Sequence, residues 1–369
     1  MKWIDSQPAF DAAMNDIGRH STIAVDTEAD SLHSYFDKVC LIQISTTDED
    51  YVIDPLRKVD LGAFGRILAD PAITKILHGA DYDLRILNRD FGFTIASLVD
   101  TMMCALLLGY DQFGLAALLE RHFGLKLDKV HQRADWAMRP LTPEMLAYAA
   151  TDTHHLISLA AKLRAELETL GRWPWALEEF GRLEAIRFKD KDKDDDEPEP
   201  FRRLKGISAF DRRSLAVARA LHQWRDGLAR KADRPPFKII GNDVIIELAK
   251  TKAASPQALD GVKILSQFHR NRYGKDLVRI AREALALPED ELPEKGEARS
   301  WNRDKELEAR VNRMKTARDR IAKELKLDPS VIAPRHVLTA IAAARTLDVP
   351  TMREWQKAVA GEALLSSLQ

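Results

Sequence analysis

Five side chains in the first 152 residues could do chemistry together: Asp26, Glu28, Asp83, Tyr148 and Asp152. Asp26 and Glu28 stand two apart in TIAVDTEAD. On a strand that spacing turns both carboxylates to one face, here at the end of an apolar run where solvation is limited. Desolvated acids side by side repel, and a divalent cation is a counter-charge that relieves them. Asp83 lies in HGADYDL, in the first turn of an expected helix, where a carboxylate also suits the helix dipole. Tyr148 and Asp152, in LAYAATDTHHL, are four apart and share one helical face. With Met145, Leu156 and Leu159 close by, that face should pack on a sheet, so a tyrosine and an aspartate there need a reason. Singly, each motif has an ordinary explanation: a chance D-x-E, a helix-terminal charge, a Tyr–Asp hydrogen bond. Together they would hold metal ions through carboxylate oxygens, with a phenol alongside. His154 and His155 are adjacent, diverge on a helix and do not form a metal pair.

Strands and helices must alternate to position these groups. Thr22–Thr27 and Val39–Thr46 are β-branched strands, and Tyr51–Asp54 is a short third. Leu61–Ala69 reads as a helix, Ile73–His78 as a buried strand, Tyr82–Arg89 as a helix, and a short strand falls near Leu98. The segment Pro143–Leu170 reads as one long helix, with Thr142 as N-cap, Pro143 at the first helical position and Glu144 in the first turn. Such alternation indicates an α/β core.

The 369 residues suffice for two or three domains. The boundary is KDKDKDDDEPEP over Lys189–Pro200, an acidic stretch with no apolar residue that reads as a solvated linker. Domains are therefore expected at 1–188, then at 201–288 and 300–369 beyond the 189–200 linker. The last two read as diverged helical copies: a helix ending at Lys231 meets ADRPPFKIIGNDVIIELAK, and one ending at Lys326 meets LDPSVIAPRHVLTAIAAAR. The only strand-like stretch there is FKIIG at Phe237. The chain's net charge of −1 conceals an asymmetry, because Phe201–Pro288 carries 19 Lys and Arg against 8 Asp and Glu. A basic helical module beside an acidic α/β domain is the footprint of a nucleic-acid-binding appendage. Trp224, Phe237, Phe268 and Tyr273 are interleaved with those charges, and Tyr273, in HRNRYGK, is the one expected at the surface.

Other classes fall away. Two cysteines, Cys40 and Cys104, give no disulfide framework and no cysteine-rich zinc site. The N-terminus lacks the apolar core of a signal peptide and no run is long enough to cross a membrane, so the chain is expected to be cytoplasmic. No G-x-x-x-x-G-K-[ST] phosphate loop is present, which argues against a motor.

The ordered set is more specific than its parts. IAVDTEAD, KILHGADYDL and YAATDTHHL resemble the three motifs of the DEDD exonucleases, in the subgroup with tyrosine in the last motif. SYFDKVCLIQIS, DTMMCALLLGY and ADWAMRPLTPEMLAYAATD resemble the ribonuclease D family within it. The likeness runs from about Trp3 to Leu170, and ADRPPFKIIGNDVIIELAK is similar to the helical HRDC domain. The resemblance implies a ribonuclease-H-like exonuclease domain, a mixed five-stranded sheet with flanking helices, followed by two all-α HRDC-type domains. It implies that Asp26 bridges two metal ions, that Glu28 and Asp152 complete the site of the attacking water, that Asp83 supports the second ion and that Tyr148 orients the water. Oxygen-only ligands favour Mg²⁺ or Mn²⁺ over Zn²⁺.

The activity implied is a 3′–5′ exoribonuclease acting on RNA with an accessible 3′ end, such as tRNA precursors, with no membrane and no obligatory protein partner. The rivals are a DNA exonuclease of the same superfamily and a non-catalytic nucleic-acid adaptor. Expected substrate contacts are Leu32 as a wedge beside the terminal base, Gln43 toward the cleft, His78 at a strand end, and Asp135 and Trp136 in the ADWAMRPL loop. On the basic module they are Arg270, Arg272, Tyr273 and Lys275.

Overall fold

In the computed structural model, which describes residues 1–127, 130–189, 199–295 and 305–368, the apolar runs of the first half form one mixed sheet. Its strands are β1 (Lys2–Ile4), β2 (Thr22–Ala29), β3 (Val39–Ser45), β4 (Asp50–Ile53), β5 (Thr74–Leu77) and β6 (Leu98–Asp100), arranged β1-β4-β3-β2-β5-β6. The β2–β3 and β3–β4 pairs are antiparallel and the others parallel. The sheet thus has six strands where five were expected. The addition is β1, three residues at an edge, too short to show an alternating pattern in sequence.

Helices α1 (Gln7–Ile17), α2 (Gly62–Ala69) and α3 (Asp81–Phe91) cover one face, where Phe10, Ile17, Phe64 and Leu84 pack on Ile23, Val25, Ile42 and Ile44. The other face receives α4 (Thr101–Leu108), α5 (Leu115–Phe123), α6 (Pro143–His154), α7 (Leu156–Thr169) and α8 (Trp173–Glu184). There Ala24 and Ile76 meet Cys104, Leu107, Leu159 and Leu163, while Leu41 and Val52 meet Trp136, Met145 and Ala149. Both cysteines are buried, and burial pushes their thiols up, to about 12 for Cys40. Thr142 caps α6, its hydroxyl accepting from Met145 N at 3.2 Å, with Pro143 following. The single helix expected over Pro143–Leu170 is broken at His155, where the backbone (φ −101°, ψ −4°) re-aims α7. No proline or glycine announces that break.

The chain divides into two units: Ser31–Asp37 with Lys189–Asn302, and the remainder. The first is built on α9 (Arg212–Lys231), α10 (Asn242–Thr251), α11 (Pro256–Asp260) and α12 (Gln267–Leu285), around Leu215, Leu221, Ile245, Leu248 and Leu277. The FKIIG stretch is not a strand but a 3₁₀ turn, Pro236–Lys238, because two prolines fix the backbone before it. Residues 31–37 belong to this unit through Tyr35, whose hydroxyl donates to Asp226 (2.9 Å) and accepts from Arg230 (3.2 Å). The amides of Tyr35 and Phe36 both donate to Asp233 at 3.0 Å.

The C-terminal helices α13 (Lys305–Leu325), α14 (Pro329–Ile332), α15 (Arg335–Ala344) and α16 (Glu354–Ser366) have their own core of Met314, Ile332, Val337, Ile341 and Leu364. They cluster with the sheet domain. Trp355 stacks on Trp175 at 4.8 Å and donates to Glu179 at 2.8 Å, and Arg353 pairs with the same carboxylate. Gly109, at φ +80°, lets α4 end against the carbonyl of Lys326, which a Cβ would meet at 1.9 Å. The acidic stretch expected as a linker over 189–200, apart from its ends, and the start of the 300–369 block lie outside the described residues.

Candidate active site

Strand β2 delivers Asp26 and Glu28 to the face that α6 covers, and α6 delivers Asp152 to meet them. One carboxylate oxygen from each of the three lies within 4.8 Å of the others. Asp83 comes from the first turn of α3 on a different path. It is buried at 6% exposure and takes a short hydrogen bond from the Thr27 hydroxyl. It stands outside the three-way cluster, but its charge bears on both Asp26 and Glu28.

The electrostatics show what this site lacks. Burial, then the charges of Asp83, Asp152 and Glu28, push the Asp26 carboxyl well above the ordinary range. Burial, then Asp152 and Asp83, push Glu28 up to about 9. Burial raises Asp152 to about 7. Asp83 rises to about 6 by burial, held back by the Thr27 hydrogen bond. Four acids converge here without a cationic side chain among the causes of their shifts, so the oxygen donors fit hard divalent cations.

Two supporting devices were invisible in sequence. Asp100 is 2% exposed, and its carboxylate accepts from Gly79 N (3.1 Å), Ala80 N (2.8 Å), Met102 N (2.8 Å) and Met103 N (3.0 Å). It therefore fixes both the start of α4 and the turn that presents Asp83. Arg139 is the other. Its guanidinium grips the fully buried Asp54 through two bonds of 2.7 Å and also donates to the carbonyls of Trp136 (2.7 Å) and Cys40 (2.9 Å). In sequence ADWAMRPL reads as a loop, with nothing to mark Arg139 as its anchor.

Tyr148 is half-buried, with Trp136 stacked at 6.0 Å and His131 edge-on at 5.9 Å. Trp136, expected to touch substrate, is instead 1% exposed and backs Tyr148. Asp135 is exposed and takes the Ala137 amide. His78 bonds Thr101 at 2.9 Å, and burial lowers its pKa. Gln43 is fully buried opposite Asp26 across β2 and β3. Leu32 is 42% exposed within the 31–37 segment.

On the basic unit, Tyr273 is not the exposed aromatic. It is half-buried between Trp224 (5.4 Å) and His269 (6.1 Å), because its position on α12 faces α9. The exposed rings are Phe237 (55%) and Phe268 (65%). Arg270 is committed within its own unit, to Asp260 at 2.8 Å and to the Val262 carbonyl at 3.3 Å, whereas Arg272 and Lys275 are exposed.

Sheet, acidic site and basic helical unit define a 3′–5′ exonuclease joined to an HRDC domain. A family model described as 3′–5′ exonuclease matches residues 1–168, and the HRDC domain model matches 214–281. Ribonuclease D of Nitrobacter hamburgensis is 30% identical over 95% of this chain and 90% of its own, and that of Gluconacetobacter diazotrophicus 29% over 94% and 88%. The structure of Escherichia coli RNase D, described as an exoribonuclease involved in structured RNA processing, matches with TM-score 0.73 at 27% identity, covering 100% of this chain and 98% of that one. The chain belongs to the ribonuclease D family, 3′–5′ exoribonucleases of the DEDD superfamily that use divalent metal ions. Among the described residues, no helix is long and apolar enough to cross a membrane.

Proposed function

We propose that Asp26, Glu28, Asp83 and Asp152 hold two Mg²⁺ or Mn²⁺ ions and that the enzyme trims 3′ ends of small structured RNAs, tRNA precursors among them, in the cytoplasm. The convergence of Asp26, Glu28 and Asp152 oxygens within 4.8 Å, in a desolvated position, carries this reading. When bound, the cations neutralise the phosphodiester and acidify the attacking water. The Tyr148 hydroxyl would orient the water by hydrogen bond, with Trp136 stacked on its ring at 6.0 Å. Residues 1–188 would form the catalytic domain, 201–288 the HRDC domain and 300–369 a second HRDC-like domain joined to the catalytic one. A 3′-tailed RNA labelled at its 5′ end tests the whole reading. Stepwise shortening with Mg²⁺ or Mn²⁺, and none in chelator, is expected. Preferential loss of a matched DNA would overturn the choice of substrate.

The site also predicts how stability responds to metal and pH. In chelator the four carboxyls hold protons that the unfolded chain releases near pH 4. Stability is therefore full below that pH and is lost as pH rises through about 6 for Asp83, 7 for Asp152 and 9 for Glu28. Saturating Mg²⁺ should restore it, adding about 3 kcal/mol at a hundred times its Kd, or roughly 5–10 °C in Tm. The gain is expected to be larger at pH 8.5 than at pH 6; calorimetric melting with an equal gain at both would place the cations elsewhere.

The basic unit is proposed to hold the body of the RNA, with Phe237 and Phe268 offering faces for unpaired bases. Neutralising Arg272 and Lys275 together should flatten the plot of log affinity against log salt by roughly 1.5. Arg270→Gln should instead lower stability, since its guanidinium is spent internally. An unchanged slope in the Arg272/Lys275 double variant would make those charges mere solvated surface.

A further inference from the structure

Gln43 occupies a position that its residue type does not suit. It lies in the middle of β3, is fully buried, and among the described residues neither its Nε2 nor its Oε1 has a hydrogen-bond partner. Buried amides are almost always satisfied, so a bare one asks for a function. Its neighbours locate the side chain. In the β2–β3 register Ala24, Asp26 and Glu28 stand opposite Ser45, Gln43 and Leu41, and directly opposed residues share a face with Cβ atoms about 4.5–5.5 Å apart. Leu41, on one side of Gln43, packs with Met145 and Ala149 of α6. Ser45, on the other, bonds the hydroxyl of Thr153, next to Asp152, at 2.7 Å. Gln43 is therefore bracketed beneath the helix that carries Tyr148 and Asp152, facing Asp26.

We infer that Gln43 is a positioning residue of the carboxylate site: its amide, opposite Asp26 and bonded to no other group among the described residues, donates to the Asp26 carboxylate when that acid holds its cations, and so fixes its orientation. This rests on the site reading given above. The chemistry suits the place: a neutral amide offers two donors to an anion without bringing a charge that would compete with the metal. A lysine or arginine there would displace the cations, and an apolar residue would leave the buried carboxylate free to turn. Outer residues that orient metal ligands commonly contribute tenfold to a hundredfold in metal affinity or rate.

The test is Gln43→Leu in the full-length protein, with Gln43→Met as a second, unbranched replacement should leucine not fit. Three readouts are needed: Tm in chelator, Mg²⁺ and Mn²⁺ affinity by calorimetric titration, and kcat and KM on a 3′-tailed RNA. The expected result is an unchanged or higher Tm in chelator, because the variant removes an unsatisfied polar group, with metal affinity weakened about tenfold. kcat should fall tenfold to a hundredfold while KM for RNA stays within twofold. A folded Gln43→Leu or Gln43→Met protein with parental metal affinity and kcat overturns the inference, as does lower stability with unchanged affinity. Asp26→Asn, measured alongside, separates the two ideas: if it retains hydrolysis, the site reading itself fails, whatever Gln43 does.

Discussion

Asp26→Asn is expected to slow RNA hydrolysis by at least about a thousandfold while leaving RNA affinity within a few-fold of the parent. The charges of Asp83, Asp152 and Glu28 all bear on Asp26, which we propose to serve both ions. Asparagine keeps its shape and removes its charge. A loss of several kcal/mol of transition-state stabilisation follows when a cation is misplaced or absent, and about 4 kcal/mol is a factor of a thousand. RNA binding, if it belongs to the basic helical unit, has no reason to change, and neither does its salt slope. Single-turnover cleavage of a labelled RNA and a binding titration in chelator give the two numbers. A variant rate within tenfold of the parent would refute the carboxylate site. A parent that binds RNA and never cuts it would favour the adaptor reading.

Removing Arg139 should have the largest effect on stability outside the carboxylate site. Arg139→Met leaves the fully buried Asp54, among the described residues, with the Leu56 amide at 3.1 Å and Arg57 at 3.6 Å. Breaking a buried pair from one side costs about 3–5 kcal/mol, which urea denaturation measures directly. The same change frees the Trp136 carbonyl and with it the wall behind Tyr148, so cleavage should fall roughly tenfold to a hundredfold. Adding Asp54→Asn, which removes the stranded charge and can still accept from Leu56, should recover most of the stability and little of the activity. A single variant within 1 kcal/mol of the parent would mean that water already satisfies Asp54. Lysine at 139 should not rescue, since one ammonium cannot span Asp54 and two carbonyls.

What the sequence disclosed and what it hid divide along sequence distance. Asp26 and Glu28 were legible because strand alternation is local, and Tyr148 and Asp152 because a helical repeat of four is local. The capped start of α6 was legible for the same reason. The break at His155 was not, since its cause is the packing of α7 on the sheet rather than a residue that refuses helix. Asp100 looks in sequence like any acid before a helix, and Thr27 like any strand residue. Their roles appear only when β5, β6 and α3 are brought together. Tyr273 and Trp136 were placed wrongly because an aromatic beside charges reads as surface until its packing partners are known. The grouping of α13–α16 with the sheet domain turns on Glu179 and Trp355, 176 positions apart.

The allegiance of residues 31–37 bears on how this enzyme can be dissected. A truncation that stops before the HRDC domain would look natural from the charge map, yet it would strip Tyr35 of Asp226 and Arg230, and the Tyr35 and Phe36 amides of Asp233. Those seven residues begin three positions after Glu28. A shortened enzyme would thus carry a loop without its partners at that point in the chain, and any activity it lost could not be assigned to RNA capture alone. Point substitutions on the exposed face of α12 leave that loop anchored and are the cleaner surgery.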